Sequence, residues 1–258
     1  MSGRWRRARR LTEREQAIVE AVARLRVVSG RQLQEVFFAD GTVIGSRRRS
    51  QATLKKLVDD HFLVRLERRV GGERAGSAGY CYRLGTLGRR FLEPSDRPRP
   101  ASEPGLTFVR HHLAIAELWV GLSRAEQAGG LKLLELQTEP NCWRRVPAGI
   151  GGWQWLKPDL FVSLAAGELE WRWFIEVDLG TLSKLRVERT CRRYAAYYRA
   201  GIEQDEHGVF PSVAWLAHTQ SRAQSLRTVV DRLPAEDRRL FHVELQAHAP
   251  QVLIGGRP

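Results

Sequence analysis

At 258 residues the chain has room for two modest domains or one large one with an appendage, and 43% hydrophobic residues can build real cores. No run of 18 apolar residues occurs, and the arginine-rich N-terminus lacks an apolar signal core, so the sequence predicts a cytoplasmic protein with neither export nor membrane insertion. Net charge is +13 and is unevenly placed: residues 1–93 carry 21 Lys+Arg against 10 Asp+Glu, a net of +11, while the rest carries 21 against 19. A basic character confined to one third of a chain is the electrostatic footprint of a nucleic-acid binder, because neutralising phosphates releases counterions. Cys81, Cys142 and Cys191 are far apart and odd in number, which fits neither a zinc spacing nor a disulfide framework.

In chain order, residues 4–10 (RWRRARR) read as a basic arm for a phosphate backbone or a minor groove, the plainer reading being a solubilising tail. Thr12 with Glu15 three positions on forms a capping box, and Ile18, Val19, Val22 and Leu25 follow at helical spacing, predicting a helix over 13–25. A second helix is expected over 31–38, with Leu33, Val36 and Phe37 inward, then a loop over 39–45. In the third helix Ala52, Leu54, Leu57 and Val58 are expected to face in. Arg47, Arg48, Arg49, Gln51, Lys55 and Lys56 take the outward positions. Strand-like segments near residues 62–66 and 80–84 flank a glycine-rich tip over 71–77 that carries Arg74. Three helices and a hairpin give the order of a winged helix, whose third helix enters the major groove. On that reading the six residues of the third helix contact double-stranded DNA and Arg74 meets adjacent phosphates. A winged helix used for protein contacts is the alternative. Residues 94–105, with four prolines, read as a linker between a winged-helix domain over 11–93 and a second domain over 106–248.

The second domain opens with an amphipathic helix over 108–127, with Leu113, Ala116, Leu118, Val120 and Leu122 mostly inward. A strand over 131–137 follows, then a loop containing Trp143, Arg144 and Arg145. Next come two apolar runs, 160–164 headed by Pro158-Asp159, and 171–177 ending in Glu176-Val177-Asp178. Alternation along a strand puts Glu176 and Asp178 on one face, and a hairpin brings Asp159 beside them. Three converging carboxylates raise one another's pKa unless a cation compensates, and such oxygen ligands suit Mg²⁺ or Mn²⁺. A helix over 181–200, a strand over 212–217, a helix over 220–233 and a strand over 240–245 complete the pattern. In the first of these helices Val187, Cys191, Tyr194 and Tyr198 are expected in the core. Arg186, Arg189, Arg193 and Tyr197 form an adjacent stripe, with Arg189 and Arg193 as phosphate contacts.

The Pro-Asp…Glu-Val-Asp pattern, in the order helix, three strands, helix, strand, resembles the PD-(D/E)xK nuclease superfamily. The resemblance implies an α/β restriction-endonuclease-like domain in which Asp159 and Glu176 bind the metal. Asp178 stands where that motif has lysine, leaving Lys184 in the next helix as the substitute cation; the alternative is that Asp178 and Lys184 cap and solvate the helix start. A basic winged helix, a proline-rich linker and this domain together resemble the replication-relaxation family of plasmids and integrative elements over about residues 11–245. That resemblance implies a role in plasmid replication, DNA relaxation or mobilisation, with other plasmid replication or transfer proteins, or a second copy of the chain, as partners. Two classes of function follow. One is a Mg²⁺- or Mn²⁺-dependent nickase using Asp159, Glu176, Asp178 and Lys184. The other is a non-catalytic DNA-binding initiator, accessory factor or repressor. The order of the residues leaves open whether Glu117 or Glu139 joins the acids. A tyrosine relaxase using Tyr197-Tyr198 is discounted, because such enzymes bind metal through two histidines flanking one residue and the sequence has only the adjacent pair His111-His112, on a helix.

Overall fold

The computed structural model describes residues 10–66, 79–92, 104–148 and 151–255 as a mixed α/β protein in two compact units, Met1–Ala116 and Glu117–Pro258. The first nine residues of the basic arm, the glycine-rich tip with Arg74, and most of the proline-rich stretch lie outside the described residues.

The first unit contains α1 (Glu13–Leu25), β1 (Val28–Ser29), α2 (Gly30–Phe37), α3 (Val43–Asp59), β2 (Leu63–Arg65), β3 (Cys81–Leu84), α4 (Thr86–Leu92) and the start of α5 (Leu106–Gln127). The Thr12/Glu15 capping box forms as the sequence predicts: Thr12 Oγ1 accepts from Glu15 N at 3.3 Å and Glu15 Oε2 from Thr12 N at 2.9 Å. Ser29 and Gln32 make a second box at the start of α2. The strands form a small antiparallel sheet in the order β1-β3-β2, with Val28 opposite Tyr82 and Leu63 opposite Leu84. Two glycines allow α4 to follow closely: a Cβ on Gly85 would lie 2.2 Å from His61 O, and one on Gly88 would lie 2.3 Å from Phe62 O.

The division between units falls inside α5 rather than at the prolines. The start of α5 is built into the first core, where Val109 packs with Val27, Leu66 and Cys81, and Gln32 Nε2 donates to Leu113 O at 2.9 Å. A composition shift does not report where a neighbouring helix buries its first turns.

The second unit is a five-stranded mixed sheet in the order β10-β9-β8-β7-β4, flanked by helices and by a separate two-stranded ribbon. Its elements are β4 (Lys132–Thr138), the ribbon β5 (Arg144–Ala148) and β6 (Gly152–Leu156), β7 (Leu160–Ala166), β8 (Leu169–Asp178), α6 (Lys184–Ala200), α7 (Ile202–His207), β9 (Ser212–Ala217), α8 (Gln220–Val230), α9 (Ala235–Arg238), β10 (Phe241–Leu245), a 3₁₀ turn (Gln246–His248) and α10 (Ala249–Gly255). β4 and β8 run antiparallel to β7, whereas β8, β9 and β10 run parallel to one another. Parallel strands need crossovers, and α6 with α7, then α8 with α9, supply them.

Alternation along β8 and β9 divides the core. Phe174, Val213, Trp215 and Ala217 join Val187, Cys191 and Tyr194 of α6 and Ala223, Leu226 and Val230 of α8 in one buried cluster. Trp173, Ile175 and Val177 point the other way, and the Trp173 indole donates to Leu253 O of α10 at 2.9 Å. Burying each large apolar side chain contributes roughly 1.5–3 kcal/mol, so this two-sided sheet is a rigid base for whatever its strand ends carry.

Candidate functional site

Two groups of side chains carry chemistry, one in each unit. In the first unit α3 begins at Val43, where the sequence reading has a loop, because Thr42 caps it: Thr42 Oγ1 accepts from Gly45 N at 3.2 Å. Its buried face is Ser46, Ser50, Leu54 and Leu57, and Ser46 Oγ donates to Phe38 O at 2.5 Å. Ala52, expected inward, is exposed, and Val58 is only half-buried. The inner stripe escaped the sequence reading because two of its four members are serines, whose small side chains permit close approach.

With that phase fixed, Ile44, Arg48, Gln51 and Lys55 recur at i, i+4, i+7 and i+11 on the outward face. Arg47, Arg48 and Gln51 have no ion pair or hydrogen bond among the described residues, and Lys55 makes only an exposed pair with Asp59 at 2.6 Å. Two of the predicted contact residues lie on a flank instead. Arg49 binds the Asp40 carboxylate at 3.2 Å and also the Asp40 carbonyl, and Lys56 reaches the buried Glu15 carboxylate at 3.5 Å. These two cations brace α3 against acids of its own unit. The sequence reading also missed two residues of the first turn: Val43 is 81% exposed and Ile44 68%.

In the second unit the β7–β8 hairpin places Asp159 beside the end of β8, as expected. Asp159 N donates to Ile175 O at 3.1 Å, and Asp159 Oδ2 accepts from Val177 N at 2.7 Å. Glu176 points to the α6 side and is buried; its Oε1 accepts from Tyr194 Oη at 2.8 Å. Burial first, then the nearby Asp159 charge, push the Glu176 carboxyl well above the usual carboxylate range, partly offset by the Tyr194 hydrogen bond. Burial and the same glutamate push the Tyr194 hydroxyl up as well.

Asp178 behaves differently. Its carboxylate is grasped from both sides by Arg222 of α8, Nε to Oδ1 at 2.9 Å and Nη2 to Oδ2 at 2.7 Å, and Gly180 N donates to Oδ1 at 2.5 Å. Arg222 also donates to Leu182 O at 2.8 Å, so one guanidinium ties α8 to the β8–α6 connection. Alongside burial, the Asp178 charge, like that of Asp159, raises the Glu176 carboxyl, but both Asp178 oxygens are taken by the Arg222 guanidinium. Asp159 and Glu176 sit together, while Asp178 is neutralised by an arginine 44 positions downstream. Among the described residues no group of three or more His, Cys, Asp or Glu side chains is arranged to hold a metal ion. Glu117 is exposed on α5, and Lys184 is exposed as the first residue of α6.

On α6, Arg189 and Arg193 are exposed with no partner among the described residues. Tyr197, placed on that stripe by periodicity, is instead buried, and its hydroxyl donates to Glu203. Glu203 in turn pairs with Arg144 at 3.2 Å, one buried carboxylate joining α6, α7 and β5. Tyr198, expected in the core, is half-buried and its hydroxyl accepts from Arg239 at 3.0 Å.

The family model described as Replication-relaxation matches residues 19–213, about three quarters of the chain and parts of both units. The chain belongs to the replication-relaxation family. This membership places it in the replication or relaxation of plasmid and other mobile-element DNA. No curated protein and no solved structure matches it. Among the described residues of this replication-relaxation protein, no helix is long and apolar enough to cross a membrane.

Proposed function

We propose that this chain is a double-stranded-DNA-binding protein of mobile-element replication or relaxation, acting as an initiator, accessory factor or repressor rather than as a nuclease. The first unit is read as a winged helix: the order α1-β1-α2-α3-β2-β3 and the β1-β3-β2 sheet are the elements such a domain needs, with α3 entering the major groove. The observation that carries the proposal is the outward face of α3. Arg48, Gln51 and Lys55 share it with Ile44, and Arg47 and Arg48 are free of partners among the described residues. Arginine and glutamine suit base edges, lysine suits phosphate, and the exposed first-turn Val43 and Ile44 suit thymine methyl groups. The second unit is read as a PD-(D/E)xK-like sheet, supported by the order β4-β7-β8-β9, with β7 antiparallel to its neighbours and β9 parallel to β8.

The metal such a fold implies fits poorly here. Asp159 and Glu176 are oxygen donors, but Glu176 is held toward its neutral form by burial and bonded to Tyr194, and Asp178 is occupied by Arg222. The second reading is a Mg²⁺- or Mn²⁺-dependent nickase using Asp159, Glu176, Asp178 and Lys184. One observation favours it, the juxtaposition of Asp159 and Glu176.

The test is a pair of assays on the full chain. Duplex binding is measured by fluorescence anisotropy across a salt series, and nicking of supercoiled DNA is measured with Mg²⁺ or Mn²⁺. The proposal expects salt-dependent duplex binding that weakens on Arg48→Ala, and no nicking above that of Asp159→Ala/Glu176→Ala. Metal-dependent nicking lost in the double variant establishes the second reading, and failure to bind duplex DNA overturns the first.

A further inference from the structure

The ribbon β5–β6 is not accounted for by either reading. Its register sets Arg145 opposite Trp155 and Pro147 opposite Trp153, so alternation puts these four side chains on one face. The opposite face carries Val146 and Leu156, both buried with Val187 and Cys191 of α6, which fixes the ribbon to the domain. On the outer face Trp153 is 54% exposed and Trp155 52%. An indole costs free energy when left in water, and two on one rigid ribbon form an apolar patch of the kind that marks a binding surface.

The surroundings identify the occupant. The Arg145 guanidinium lies 5.0 Å from the Trp153 ring centroid, and Lys157 Nζ lies 4.2 Å from that of Trp143. Trp143 and Trp155 are themselves neighbours, with centroids 6.3 Å apart. From Trp143 to Lys157 the sequence has three cations and no carboxylate, and of these cations Arg144 is committed to Glu203. Exposed indoles interleaved with cations suit a polyanion that also offers flat apolar faces. Unpaired nucleic-acid bases fit that description, because they stack on aromatic rings and guanidinium planes while basic side chains meet the phosphates. In a duplex those base faces are already stacked on one another.

We propose that the outer face of the β5–β6 ribbon, through Trp153, Trp155, Arg145 and Lys157, is a stacking platform for unpaired bases of single-stranded DNA. The site is independent of the α3 surface and gives the protein a second mode of contact with DNA, for strands that are already separated.

The test uses the full-length protein with a fluorescently labelled oligothymidine of about 15 nucleotides, a length within the span of known single-strand sites, and in parallel a labelled duplex. Trp153→Ala and Trp155→Ala are each expected to weaken oligothymidine binding by roughly tenfold, with Trp→Phe at either position retaining most of the affinity. Arg145→Ala is expected to reduce the salt dependence by about one counterion without abolishing binding. Duplex binding should be unchanged in all of them. Wild-type affinity for oligothymidine in the Trp153→Ala/Trp155→Ala variant, or no oligothymidine binding by the wild type, overturns the proposal and assigns the patch to a protein partner. Loss of duplex binding on Arg48→Ala with oligothymidine binding intact bears on the α3 reading alone, so the two failures are distinguishable.

Discussion

Arg222→Met should be among the most damaging single substitutions in the second unit. The Asp178 side chain is fully buried and that of Arg222 is 14% exposed, and three of the arginine's hydrogen bonds, at 2.7–2.9 Å, end on Asp178 or Leu182. Removing the guanidinium leaves a carboxylate inside the protein with only the Gly180 amide to bind it. Breaking a buried pair from one side costs about 3–5 kcal/mol, because the remaining charge has lost both water and its partner. For a unit of this size each kcal/mol moves the melting temperature by roughly 2–4 °C, so a fall of about 10 °C is expected. Replacing both members by apolar or neutral groups removes the orphan charge, so Asp178→Asn/Arg222→Met should recover most of that loss. Thermal unfolding by circular dichroism on the four members of the cycle gives the coupling directly. A single-variant loss under 1 kcal/mol, or a double variant no better than the single, would falsify the view that Arg222 exists to neutralise Asp178.

Other substitutions separate roles that the sequence alone merges. Arg48→Ala should weaken duplex binding and lower its salt slope by about one, whereas Arg49→Ala should leave the slope unchanged, because Arg49 is engaged with Asp40; equal slopes in the two variants would refute the division. Gly88→Ala should destabilise the first unit by about 1–3 kcal/mol, since its Cβ would meet Phe62 O at 2.3 Å, and a neutral result in denaturant titration would contradict this packing. His112 on α5 is buried against Phe108, and burial pushes it down to about 3. Its unfolded form takes up a proton near pH 6.5 and its folded form only near pH 3, so stability should fall as pH drops through that window. His112→Phe should flatten the dependence, and an unchanged pH profile would remove His112 from the account.

Much of the fold is legible in the sequence wherever pattern and local chemistry agree. The Thr12/Glu15 box fixes α1, and alternation with a turn near Gly167 fixes the β7–β8 hairpin and hence the meeting of Asp159 with the end of β8. The ribbon β5–β6 was not legible, because Pro147 and the glycines at its tip read as loop and only tertiary packing on α6 makes the segment extended. The fate of Asp178 was hidden for another reason. Its partner Arg222 is in a different helix, and nothing in the spacing distinguishes an arginine that reaches inward from one that is solvated. The same holds for Arg49 and Lys56, which share a compositional signature with Arg47 and Arg48 but face acids of their own unit. Tyr197 shows how small the margin is: one step around α6 separates the exposed arginine stripe from the pocket that holds Glu203.

The Arg222 clasp also bears on how this chain could change over generations. A carboxylate that recruits its counter-charge from solution depends on the ionic contents of the cell, whereas one whose counter-charge is encoded by the same gene does not. The end of β8 should therefore keep its shape when divalent ions are scarce or chelated. It also makes position 222 decisive for the local charge: losing that arginine leaves the buried Asp178 carboxylate without its guanidinium, beside Asp159 and Glu176.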